Sequence, residues 1–182
     1  MPTFFVISVM AEDRTGIVAD VTTAISDLGG NLADMSQTVL RGHFTMILIA
    51  SFPEAVTPDQ IRTALKAVEG QTPFEVGVRT APGELPPEAN IIADRQYVLT
   101  AVGPDRTGLV SAVAEYLRQK EINISDLSTC VSNGVYTMIL LLDLPVGTDV
   151  ARLKRSLQIA MEDVALNVEI RHHALFRSTN EI

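Results

Sequence analysis

Hydrophobic and polar residues along the chain alternate in blocks that predict short strands and amphipathic helices. The first half of the chain predicts a strand, a helix, two strands, a helix and a strand. Residues 4–10 are apolar at both alternating positions, which is typical of a strand covered on both faces. The start of the second helix is predicted by a capping box, formed by Thr57 and Gln60, and by a proline in the first turn, Pro58. The predicted bounds are 4–10, 16–28, 32–40, 44–52, 58–69 and 74–78.

The same pattern recurs 92 positions later without a gap. Residues 5–52 align with residues 97–144, and about one aligned position in three is identical. The turn of the second copy is Asn133-Gly134, a strong signal for a two-residue hairpin. Two copies are too few for a repeat array, so we interpret the chain as a duplicated small domain. The second copy is predicted to have helices over 108–120 and 149–161 and a last strand over 166–176.

This order of elements, with a hairpin in its middle, predicts an α+β fold of the ferredoxin-like βαββαβ type. Each copy is expected to form an antiparallel sheet of four strands with two helices on one face. The predicted domains are residues 1–80 and 95–177, with a Pro-rich linker at 81–94. Residues 44–52 are apolar at both alternating positions, so the open sheet face should be partly apolar. We therefore expect the two copies to cover each other or the chain to form a homo-oligomer.

Composition and charge narrow the classes of function. The 182 residues include 14 basic and 22 acidic ones, a net charge of −8, which argues against direct binding to nucleic acid or a membrane surface. The single cysteine, Cys130, cannot form an internal disulfide, and a reducing compartment, most simply the cytoplasm, is predicted. The sequence lacks paired catalytic carboxylates, nucleophile motifs and clusters of metal ligands. We expect neither an enzyme nor a metal or cofactor site.

A four-residue motif lies between the first strand and the first helix of each copy, as Asp13-Arg14-Thr15-Gly16 and as Asp105-Arg106-Thr107-Gly108. Two interpretations are open. In one, the aspartate or threonine caps the following helix and the glycine forms a turn. In the other, the N-terminal amides of the helix bind a ligand carboxylate, and the aspartate accepts a hydrogen bond from the ammonium group of the same ligand. The second interpretation predicts an α-amino acid as the ligand.

An asparagine recurs after that helix, Asn31 in the first copy and Asn123 in the second. Its amide is either a further ligand contact beside the neighbouring loop or a left-handed turn residue that leads into the next strand. Three polar residues at alternate positions of the second strand, Asp34, Ser36 and Thr38, are interpreted as a solvent-exposed row on the open face of the sheet.

These features resemble the ACT domain family of small-molecule regulatory modules. The likeness lies in the Asp-Arg-Thr-Gly loop, the apolar pair that follows it, and the asparagine segment before the hairpin, and it covers nearly the whole chain twice. The tandem arrangement is similar to the glycine cleavage system transcriptional repressor family. The resemblance implies a ligand at the first loop and the following asparagine. The expected ligand-binding residues are Asp13, Arg14, Thr15, Gly16, Ile17, Asn31, Asp105, Arg106, Thr107, Gly108, Leu109 and Asn123.

The resemblance further implies a non-enzymatic regulator that binds an amino acid at interfaces between ACT domains. The similar family acts through a DNA-binding partner, so we expect a protein partner and no direct contact with nucleic acid. A ligand transmits a signal only if it prefers one domain arrangement over another. The alternative is a protein-interaction module with vestigial ligand sites.

Overall fold

The chain divides into two compact units after residue 88. The computed structural model describes residues 2–81 of the first unit and 95–174 of the second. The predicted linker at 81–94 therefore lies outside the described residues apart from Ala81, and the domain bounds stay predictions. Within the described residues, no helix has both the length and the apolar character needed to cross a bilayer.

Each unit contains a strand, a helix, two strands, a helix and a strand. The first consists of β1 (Thr3–Glu12), α1 (Ile17–Asp27), β2 (Asn31–Leu40), β3 (His43–Phe52), α2 (Pro58–Ala67) and β4 (Glu75–Thr80). The second consists of β5 (Gln96–Pro104), α3 (Leu109–Gln119), β6 (Asn123–Ser132), β7 (Val135–Asp143), α4 (Val150–Met161) and β8 (Asn167–His172).

The strand pairing confirms the predicted ferredoxin-like α+β class. The orders are β2-β3-β1-β4 and β6-β7-β5-β8, and all neighbours are antiparallel. The last strand, which we predicted to extend to residue 176, ends at His172. It ends there because His172 pairs with Tyr97, one residue from the start of its partner strand β5.

The helices cover the face of each sheet on which the central strands are apolar. In the first unit, Phe5, Ile7 and Val9 of β1 are buried together with the alternate residues of β3 from Phe44 to Phe52. These side chains form one core with the apolar stripes of α1 and α2, and a second core of the same kind lies in the other unit. Burial of each large side chain contributes about 1.5–3 kcal/mol, so the core decides which face the helices occupy.

The face opposite the helices is partly apolar, as predicted. Ile47 and Leu40 are 52% and 69% exposed in the first unit, and Ile139 and Val135 are 39% and 45% exposed in the second. The polar stripe of β2 lies on the same face, because it pairs with the exposed parity of β3. Self-association through this face stays a prediction.

Candidate functional site

The loop between the first strand and the first helix is held by its backbone in both units. The Asp13 amide donates to the Gly42 carbonyl at 2.8 Å, and the Asp105 amide donates to the Gly134 carbonyl at 3.1 Å. Gly42 and Gly134 belong to hairpin turns in which both central residues have positive φ, the type I′ geometry that suits strand twist. The Asp-Arg-Thr-Gly motif is therefore fixed at the hairpin end of each sheet.

The glycine of the motif is the N-cap residue of the following helix. Gly16 and Gly108 have φ of +96° and +91°, and no side chain caps either helix. The interpretation of the motif aspartate or threonine as a cap is therefore wrong. Glycine suits this position because L side chains rarely adopt such φ values. The first amides of α1 and α3 are left without a side-chain acceptor.

A cavity of about 480 Å³ lies beside the first loop. Asp13, Arg14, Gly16 and Ile17, all predicted ligand-binding residues, line it, whereas Thr15 does not. The rest of its wall was not predicted and consists of Val18, Ala19, Gln37, Val39 and Phe44. Nothing in the neighbouring sequence indicates that Gln37, Val39 and Phe44 belong to the site, because the pairing of β2 with β3 brings them to the loop.

A second cavity, of about 400 Å³, occupies the same place in the other unit. The predicted residues Arg106, Gly108 and Leu109 line it, whereas Asp105 and Thr107 do not. The rest of its wall is formed by Val110, Ser111 and Tyr136, at the positions of Val18, Ala19 and Phe44. In the described ranges 2–81 and 95–174, no three metal-ligating side chains come together.

The two motif arginines differ in their contacts. Arg14 Nη1 lies 2.8 Å from Asp20 Oδ2, and Arg14 Nη2 donates to the Glu69 carbonyl at 3.2 Å. The Arg14 guanidinium also lies 5.7 Å from the centre of the Phe74 ring. By contrast, the side chain of Arg106 makes no hydrogen bond or ion pair with any part of the chain that the structure describes. Arg14 is thus a positioning residue, whereas the donors of Arg106 have no acceptor in the described part of the chain.

The segment from Glu69 to Phe74, which Arg14 contacts, is held in place by hydrogen bonds of its own. The Phe74 amide donates to Glu69 Oε2 at 2.8 Å, and Lys66 Nζ lies 3.2 Å from the same oxygen. These bonds hold the pKa of the Glu69 carboxyl below its usual value, and the Phe74 amide contributes most. Arg14 consequently ties the first loop to the ordered end of α2.

The two asparagines lie at the far end of the sheet from the loop of their own unit. Asn31 and Asn123 begin ten-residue strands that end at the hairpin turn, a separation of roughly 30 Å at about 3.3 Å per residue. They therefore cannot share a small ligand with that loop. The left-handed turn interpretation is also wrong, since the positive φ values fall at Gly29 and Glu121. The Asn123 amide donates instead to Asp143 Oδ2 at 3.1 Å.

Comparison with known sequences matches both units to one family. Residues 3–78 and 95–171 each match the family model of the ACT domain. A UPF0237 protein of Methanocaldococcus jannaschii is 31% identical over 88 residues, which cover 48% of this chain and 98% of that protein. A UPF0237 protein of Corynebacterium diphtheriae is 50% identical over 54 residues, which cover 30% of this chain and 61% of that protein.

Two solved structures are similar over both units. An unknown protein from Galdieria sulphuraria has a TM-score of 0.73 at 27% identity, and the match covers 94% of this chain and 98% of that one. A protein whose suggested role is that of a glycine cleavage system transcriptional repressor has a TM-score of 0.69 at 16% identity, over 94% of this chain and 97% of that one. At 16% identity, the second likeness shows the fold alone.

Proposed function

Because the chain belongs to the ACT domain family, we propose that it is a non-enzymatic regulatory protein that binds a free amino acid. The observation that carries this proposal is the cavity beside the Asp-Arg-Thr-Gly loop, which recurs at the same place in both units. At about 480 and 400 Å³, both cavities fall in the size range of small-molecule sites.

The wall of the first cavity offers the chemistry that the two ends of an amino acid require, whereas the wall of the second offers helix amides and an arginine but no carboxylate. The first amides of α1 and α3 have no side-chain acceptor, and open helix amides bind carboxylates well. Gly16 leaves their approach open, because an added Cβ would meet only Arg14 and Asp20 side-chain atoms, at 3.7 and 4.0 Å. Asp13 lines the first cavity and is proposed to accept a hydrogen bond from the ligand ammonium.

Asn31 and Asn123 could contact a ligand at an Asp-Arg-Thr-Gly loop only if that loop belongs to another copy of the domain. Neither Asn31 nor Asn123 reaches the loop of its own unit, so a ligand that contacts both features also contacts another copy of the domain. We propose that a second copy of the chain supplies it. The full exposure of the edge strand β2 and the partly apolar open face support this self-association.

A regulatory protein that is not an enzyme exerts its effect by binding another molecule, and we propose that this molecule is a protein. Ligand binding would alter the encounter with that partner by favouring one domain arrangement. By its likeness to the repressor family, the partner is proposed to be a DNA-binding regulator of amino-acid metabolism. Direct DNA binding by this chain is not proposed, because its net charge is −8.

A thermal-shift screen of the full chain against each of the twenty common amino acids tests the proposal. At least one is expected to raise the melting temperature, since a ligand at a hundredfold excess over its Kd stabilises the folded state by about 2.7 kcal/mol. Asp13→Asn is the test variant, and Asp105→Asn, at an aspartate outside the lining of the second cavity, is the matched control. Both should fold normally, because neither aspartate caps a helix, and only Asp13→Asn should bind the same amino acid more weakly, by about 1–3 kcal/mol.

The alternative is a protein-interaction module with vestigial ligand sites. The exposed apolar residues of the open sheet face, such as Ile47 and Ile139, favour it. A screen in which no amino acid changes the melting temperature would select this alternative over amino-acid binding.

A further inference from the structure

The duplication supplies an internal comparison, because the two cavities occupy the same place in two copies of one fold. The units align at a constant offset of 92 residues, which pairs each wall position of one cavity with a position in the other. Differences between paired positions are therefore not a consequence of their place in the fold.

The first difference is in the contacts that the side chain of the motif arginine makes. Besides the carbonyl of the neighbouring Thr15, three groups hold Arg14 in the first unit, namely the Asp20 carboxylate, the Glu69 carbonyl and the Phe74 ring. In the second unit, the positions of Asp20 and Phe74 are occupied by Ala112 and Leu166. The second copy thus lacks both side chains that hold the arginine of the first. Arg106 lines its cavity with no partner among the residues that the structure describes.

The second difference is the set of polar side chains in the remaining wall, since Gln37 lines the first cavity and its counterpart Thr129 does not line the second. Tyr136 lines the second cavity where Phe44 lines the first, which adds a phenolic hydroxyl. Ser111 stands where the first cavity has Ala19, but the Ser111 hydroxyl already donates to the Gly108 carbonyl at 2.8 Å. Arg106 and Tyr136 are therefore the side-chain donors left for a ligand.

The third difference is the sign of the charge. The first cavity is lined by the Asp13 carboxylate and by an arginine that is already paired. The lining of the second cavity contains the Arg106 guanidinium, unpaired within residues 2–81 and 95–174, and no carboxylate. A ligand with a carboxylate and no ammonium group is accordingly favoured in the second cavity over the first.

We propose that the cavity of the second unit is a carboxylate site, in which Arg106 and Tyr136 donate hydrogen bonds to the ligand carboxylate. A planar guanidinium matches a carboxylate with two parallel hydrogen bonds. Leu109 and Val110 supply an apolar wall for the carbon chain of the ligand. The inference rests on the proposed function and deepens it, since it gives the ligand of the second cavity as a carboxylate that needs no ammonium group.

A titration of the ¹⁵N-labelled full chain with sodium propionate tests this inference, with amide chemical shifts as the readout. Propionate carries a carboxylate and a short apolar chain but no ammonium group. It is expected to move the amides of 105–111 in a saturable way and to leave those of 13–19 in place. Inorganic phosphate, which has no apolar part, is expected to bind several-fold more weakly.

Two variants and a control identify the donors. Arg106→Gln should weaken propionate binding about tenfold or more, the range for loss of a charge-assisted pair. Tyr136→Phe, which copies the first cavity, should weaken it several-fold. Arg118→Gln removes a positive charge from α3 outside the cavity and should bind propionate as the wild type does.

The outcomes separate this inference from the proposed function. Saturable shifts at 105–111 that Arg106→Gln abolishes support a carboxylate site, even if the amino-acid screen is negative and the proposed function fails. No saturable shift at 105–111, equal shifts at 13–19, phosphate binding as tight as propionate, or an unchanged affinity in Arg106→Gln would overturn it. In those cases a positive amino-acid screen would still stand.

Discussion

Arg14 and Arg106 occupy the same motif position, yet the structure predicts that only Arg14 stabilises its unit. The perturbation is Arg14→Gln, with Arg106→Gln as the matched control. Both variants remove one positive charge at the same place in the fold. Only the first removes an ion pair, a bond to the Glu69 carbonyl and a contact with an aromatic ring.

The size of the effect can be worked out from these contacts. The Asp20 carboxylate is 37% exposed, so its ion pair with Arg14 contributes about 0.5 kcal/mol after screening. The part-buried bond to the Glu69 carbonyl, at 3.2 Å, contributes about 1 kcal/mol. The guanidinium at 5.7 Å from the Phe74 ring centre adds about 0.5 kcal/mol. Arg14→Gln should therefore destabilise the first unit by about 2 kcal/mol.

Native-state hydrogen exchange measures each unit separately through the amides of its central strands. In Arg14→Gln, the exchange free energy of the β1 and β3 amides should fall by about 2 kcal/mol, while that of β5 and β7 stays unchanged. In Arg106→Gln, both units should change by less than about 0.5 kcal/mol. Equal losses in the two variants, or a loss below about 0.5 kcal/mol in Arg14→Gln, would refute the assignment of Arg14 as a positioning residue.

Three further predictions concern single contacts. Gly30→Ala would place a Cβ 2.8 Å from the Ile25 carbonyl oxygen, so chemical denaturation should show a loss of about 1–3 kcal/mol for this overpacking. Thr57→Ala removes the side-chain cap of α2 and should lower the exchange free energy of the first unit by about 1 kcal/mol, with the second unit as control. Hydrogen bonds from Arg118 and then Gln119 lower the pKa of Glu115 to about 2, so their stabilising effect is present above the unfolded-state pKa of Glu115 and is lost as the pH falls towards 2. Carboxyl NMR should show this low pKa in the wild type and a clearly higher pKa in Arg118→Gln, still below the usual value because Gln119 keeps its hydrogen bond to Glu115.

Local chemistry in the sequence predicted those parts of the fold that depend on neighbouring residues. The Asn133-Gly134 turn has φ of +51° and +75°, as its residue types require. The capping box of α2 forms, with the Thr57 hydroxyl and the Gln60 side chain each accepting from the other residue's amide. Residue type alone gave a wrong prediction at Asp13 and Asp105, which were candidate helix caps. Each helix has the motif glycine as its N-cap residue, so the aspartate lies three positions before the N-cap.

The parts of the site that the sequence could not predict depend on tertiary contacts. Glu69 and Phe74 lie far along the chain from Arg14, and nothing near the motif indicates that they hold its guanidinium. Phe44 and Tyr136 were predicted as strand residues only, and sheet register brings them to the cavities. The opposite placement of the loop and Asn31 likewise follows from the parallel course of β1 and β2, which becomes apparent once both are paired with β3.

The most direct test of the central claim is to locate amino-acid binding on the full chain. Each of the twenty common amino acids would be titrated into ¹⁵N-labelled protein, and saturable amide shifts would be mapped onto the sequence. Binding beside the Asp-Arg-Thr-Gly loops predicts that at least one amino acid moves the amides of 13–19 or 105–111 first and most. The absence of any saturable shift, or saturable shifts confined to residues far from both loops, would contradict it.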